Sequence, residues 1–180
     1  MHRSVKLSLL VVLASLLVAG VGFAATDNDV QVVTLDIDEV AEITAGADIT
    51  LTIVGTGTPG MQPVDPTSSA THLQYTSIVD ASTRKVLVKL AAPDTVPAGT
   101  SLHVTASAPF ASGAGASTGS VELTTSDQEL ITGIGSVATG DLEDDGPQLD
   151  YVWEIEDMTL LDFGNDDVAT VTFTLTAEGV

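Results

Sequence analysis

Leu149-Asp150-Tyr151-Val152-Trp153-Glu154-Ile155-Glu156 is the stretch that decides the fold. Leucine, tyrosine, tryptophan and isoleucine take every second position, and Asp150, Glu154 and Glu156 stand on the opposite face. A period of two marks a half-buried β-strand, because successive strand side chains point to opposite faces of a sheet. Alternation also sends Tyr151 and Trp153 into a core with Leu149 and Ile155, rather than out as an aromatic platform for sugars.

The same pattern recurs outward from this run. Residues 48–54 set Ile49, Leu51 and Ile53 against Asp48, Thr50 and Thr52, and residues 101–107 set Leu102, Val104 and Ala106 against Ser101, His103 and Thr105. Residues 169–176 alternate Ala169, Val171, Phe173 and Leu175 with four threonines. Less regular candidates are 29–37, 71–79, 84–90, 120–124 and 128–132, which brings the expected count to nine or ten strands. Long helical periods are lacking, and the connections are rich in Gly, Pro, Asp and Ser. Two are long: 55–69, expected to reach across one end of the fold, and 110–120, built almost wholly of small residues. The expectation is an all-β protein, a single antiparallel β-sandwich of jelly-roll or immunoglobulin-like type.

The N-terminus reads as an address. Arg3 and Lys6 precede a largely apolar run from Leu7 to Val21, after which Gly22 and Ala24 suit a signal-peptidase site. Residues 1–24 are therefore expected to be a cleaved signal peptide and 25–180 the sandwich domain, with no stable membrane span after cleavage. An uncleaved anchor is the competing reading, although the run is short of the about 20 apolar residues that a spanning helix needs. About 156 residues would remain, enough for one domain with a sizeable core. The chain would then be secreted, periplasmic or held at the cell surface.

Charge and cysteine content restrict what such a domain can do. Beyond residue 24 only Arg84, Lys85 and Lys89 stand against 25 acids, a formal charge of −22. Nucleic acid is excluded as an electrostatic partner. The acidity suits a solvated surface, a saline habitat, or calcium, whose hard oxygen ligands are carboxylates. With no cysteine in the chain, disulfides, thiolate metal sites and thiol nucleophiles are impossible.

Four groups of residues are candidates for chemistry. Asp141, Glu143 and Asp145, followed by Gly146, match the opening of a calcium loop, but Val152 stands where the bidentate Glu belongs and Pro147 interrupts the loop. These three are the candidate metal ligands, and calcium is the one cofactor they would take. Asp162, Asn165, Asp166 and Asp167 form a weaker version. His72 and His103, each on the polar side of an expected strand, are expected to be exposed strand residues rather than general bases. Glu154, Glu156 and Asp157 could supply a glycosidase pair, but among 25 acids that choice is close to arbitrary. The spacing of Gly113, Gly115 and Gly119 fits no phosphate loop, and neither a Gly-x-Ser-x-Gly elbow nor a His-Glu-x-x-His helix occurs. No catalytic residue is expected. Arg84, Lys85 and Lys89 share one short strand, which is expected either to lie beside 150–156 and pair with its acids or to blunt a sheet edge.

The layout resembles the subunits of chaperone-usher-type bacterial fimbriae. The resemblance rests on the signal peptide, the alternating segment Asp29-Val30-Gln31-Val32-Val33-Thr34-Leu35-Asp36-Ile37, the cysteine-free Thr/Val-rich sandwich, and an ending just after 170–176. It implies that the segment before Asp38 completes a neighbouring subunit's sandwich, with another copy or another fibre subunit as partner. The chain departs from the pilin pattern at its end, where Gly179 and Val180 replace the usual penultimate aromatic. On physical grounds the segment can equally be the first strand of its own sandwich. The functional expectation is a non-enzymatic structural or adhesive surface module. The alternative is a secreted carbohydrate- or calcium-binding domain, and an extracellular hydrolase ranks third.

Overall fold

The computed structural model describes residues 31–108, 110–162, 164 and 167–179. The expected signal peptide therefore lies outside the described residues, as do Asn165 and Asp166 of the weaker acidic cluster. The chain divides into two units, 1–36 and Ile37–Val180. Of the first, residues 31–36 are described; they carry no strand and are exposed.

The second unit is a two-sheet, all-antiparallel β-sandwich. Its strands are β1 (Val40–Ala45), β2 (Thr67–Ile78), β3 (Arg84–Leu90), β4 (Thr100–Ser107), β5 (Ala116–Ser117), β6 (Val121–Glu122), β7 (Gln128–Ile134), β8 (Val137–Ala138), β9 (Gln148–Ile155) and β10 (Val171–Ala177). One sheet runs β1-β2-β9-β4-β6, with β8 also paired to β2, and the other runs β10-β3-β7-β5. The decisive stretch is β9, in the middle of the first sheet, where every residue from Gln148 to Ile155 is paired to β4.

Alternation sets the core. Leu73 and Tyr75 of β2, Val104 and Ala106 of β4, and Leu149 and Tyr151 of β9 meet Val86, Val88 and Leu90 of β3 and Leu130, Ile131 and Ile134 of β7. Each valine, leucine or isoleucine of this set, taken fully from water, contributes about 1.5–3 kcal/mol. Val171, Phe173 and Leu175 of β10 pack against this cluster half-buried, on the face expected of them.

Three expectations fail. Of the expected strand 29–37, residues 29 and 30 lie outside the described residues and 31–37 form no strand, and neither do residues 48–54, despite their clean alternation. The cationic strand lies neither beside 150–156 nor at an edge: β3 and β9 belong to different sheets, and β3 is held between β10 and β7. The lysines pair instead with acids at β7, Lys85 Nζ with Glu129 Oε1 at 2.7 Å and Lys89 Nζ with Asp127 Oδ1 at 2.9 Å. Arg84 points inward at the start of β3 and pairs with Glu39. The physical reason is that the acids neutralising both lysines stand at neighbouring β7, so the cations need neither β9 nor an edge, while Val86, Val88 and Leu90 bury the inner face of the strand.

Candidate functional site

The acidic turn is held against β2 by both of its limbs. On the entering limb, Thr139 N–H donates to the Tyr75 carbonyl at 3.0 Å, and Thr139 Oγ1 accepts from Tyr75 N–H at 2.9 Å. On the leaving limb, Leu73 N–H donates to the Pro147 carbonyl at 2.9 Å. Between these anchors the turn closes on itself: Asp145 Oδ2 accepts from Leu142 N–H at 2.8 Å, and Asp145 N–H donates to the Leu142 carbonyl at 2.9 Å. The Gln74 side-chain amide donates to that same carbonyl.

The three expected ligands differ in their surroundings. One Asp145 oxygen is committed to capping its own turn, whereas Asp141 and Glu143 are exposed. Among the described residues no group of three or more acidic, histidine or cysteine side chains is placed to hold a metal ion.

Beside the turn is a cavity of about 320 Å³, lined by His72, Phe110, Ala111, Thr139, Asp144, Asp145, Gly146 and Pro147. The loop that continues from Ala111 is fixed from two directions. The buried Tyr75 hydroxyl donates to the Ala114 carbonyl, and Gly135 N–H donates to the Gly113 carbonyl at 2.9 Å. Burial of Tyr75 pushes its phenol up to about 12, so the ring stays a neutral donor. His72 stands on β2 between Thr71 and Leu73, and its Nδ1 is buried without a hydrogen-bond partner. The site thus combines an imidazole, two carboxylates and one aromatic ring, a set suited to a small polar or cationic ligand. Sequence reading singled out Asp145 but not Asp144 and treated His72 as an exposed strand residue; Phe110 carried no periodic signal.

The other histidine has closer company. Ser101 Oγ lies 3.0 Å from His103 Nε2, and Glu154 Oε2 lies 3.6 Å from the same nitrogen. In a serine-histidine-acid relay the two ring nitrogens serve different partners. Here both approach Nε2, the acid is beyond hydrogen-bond reach, and Ser101 is 2% exposed. The trio is a polar cross-strand cluster on β4 and β9 and is not arranged to activate a nucleophile.

The remaining candidates fall in ordinary places. Tyr151 is buried and Trp153 is half-buried against the core, so neither ring forms an exposed platform. Asp157 caps a short 3-10 turn, Met158–Leu160, by accepting from Thr159 N–H at 2.9 Å, and the side-chain and backbone hydrogen bonds from Thr159 hold its carboxyl below the usual carboxylate range. Among the described residues no helix is long and apolar enough to cross a membrane.

Compared with known proteins, the chain matches no family model, no curated protein and no solved structure.

Proposed function

We propose that this chain is an exported, non-enzymatic β-sandwich that serves as a structural or adhesive module at the cell surface, and that copies of it associate by sharing strands. The observation that carries this reading is the distribution of exposed apolar residues. Seven of the eleven large apolar side chains exposed among the described residues lie between Val32 and Val64, with Val32 at 85% and Leu35 at 88%. A stretch so apolar, on a chain with a formal charge of −20, is a surface that association covers. Export is the reading of the N-terminal 24 residues, and it suits a cysteine-free domain whose persistence outside depends on packing and pairing alone.

Deleting residues 25–37 tests the reading. The expected result is a folded monomer, with unchanged far-UV circular dichroism and a size by light scattering smaller than that of the intact chain. If the intact chain is itself strictly monomeric at high concentration, the proposal is wrong.

The cavity beside the acidic turn favours a second reading, a binding domain for calcium or a carbohydrate. Calorimetric titration with calcium discriminates between the two: heat release that is lost on Asp145→Ala supports the binding domain, and no heat with no change in melting temperature removes the ion.

A further inference from the structure

Residues 48–54 have the cleanest strand pattern outside the assigned strands, and they are left without a ladder. Ile49, Leu51 and Ile53 are half-buried while Asp48, Thr50, Thr52 and Val54 are exposed, so the side chains alternate as in a strand. Ile49 and Leu51 pack against the core. The last backbone bond before this segment is Gly46 N–H to the His72 carbonyl at 2.9 Å; from residue 47 to residue 54 the backbone makes no hydrogen bond among the described residues. The segment is thus anchored by its apolar face and offers a row of free N–H and C=O groups, which is the template for adding a strand.

A second segment of the chain has the complementary need. Residues 31–35, Gln-Val-Val-Thr-Leu, have strand-forming composition, and Val32, Val33 and Leu35 are 85%, 67% and 88% exposed. Charge narrows the choice further. Residues 31–35 carry no charge and residues 48–54 carry only Asp48 at one end, on a chain where acids outnumber bases by 20. Two copies can bring these segments together without the like-charge repulsion that most other pairings would meet.

We infer that residues 48–54 are an acceptor edge for residues 31–35 of a second copy of this chain. This rests on the strand-sharing reading above and adds to it the place where the strand goes. Pairing would complete the missing ladder and cover Leu35 and one of the two neighbouring valines.

The absence of native cysteine makes the test direct. The chain is expressed with its own N-terminal leader and carries Thr34→Cys together with a cysteine at position 48, 50 or 52. Mild oxidation is expected to give disulfide-linked dimers and higher species for at least one pairing, since facing strand residues lie within disulfide reach. A control carries Thr34→Cys with Thr105→Cys, at the β4 edge that β6 leaves uncovered beyond Val104. Links at 105 and none at 48–52 would overturn the acceptor edge while leaving strand sharing intact. Links formed only within one chain, or none in any variant, would overturn both. Thr50→Pro supplies a second measurement. Position 50 is exposed and outside every ladder, so the domain stays folded, but proline removes one of the donors offered to the incoming strand. The expected outcome is unchanged circular dichroism with a shift from oligomer to monomer, and an unaltered oligomer would count against the inference.

Discussion

Gly146 joins the acidic turn to β9 with a left-handed backbone, φ +85°, and a Cβ at that position would overlap the Leu73 carbonyl oxygen. Only glycine meets both conditions, because the close approach is what lets Leu73 N–H bond to the Pro147 carbonyl. Gly146→Ala is therefore expected to destabilise the domain by about 1–3 kcal/mol through backbone strain alone, with the clash in addition, as read by urea denaturation. Two tyrosines make a second prediction at this scale. Burial raises the phenols of Tyr75 and Tyr151 to about 12, above the unfolded value of about 10. The folded state then holds protons that the unfolded state gives up, so stability is full below about pH 10 and falls as pH rises toward 12. A melting temperature that declines over that window, less steeply in Tyr75→Phe than in the parent, is the expected result.

Among the strands, what the sequence revealed depended on periodicity. Residues 101–107 and 149–156 were legible because alternation declares which face is buried, and these became β4 and β9, as the less regular 84–90 became β3, with their ends shifted by no more than a residue. β5 and β8 were not legible, since two residues have no period, and their pairing follows from where β7 and β2 lie. β1 was hidden by its small and acidic residues, Ala41, Glu42 and Ala45, which blur its alternation. Residues 48–54 failed in the opposite sense: the pattern is present and the ladder is not. A periodic pattern reports that one face is buried and says nothing of whether the backbone edge has a neighbour. The candidate site was legible by half. Its acids stand in one run, but His72 and Phe110 reach the cavity only through the register of β2 and the fold of the 110–116 loop, which no local pattern encodes.

At the scale of the whole molecule, charge is distributed unevenly. Acids are spread along the chain, the apolar exposure gathers between residues 32 and 64, and every basic residue beyond residue 24 lies in β3. That last feature has a practical side. Trypsin cuts after arginine and lysine, so beyond residue 24 its only targets are the bonds after Arg84, Lys85 and Lys89. All three belong to a strand bonded on both sides, and Arg84 is buried. A protease needs an extended, released segment in its cleft, and β3 cannot be released without dismantling the sheet between β10 and β7. The rate of tryptic digestion is therefore expected to report global unfolding and nothing smaller: fraying at either end of the domain leaves the chain uncut, and each cleaved molecule records one complete opening of the sandwich.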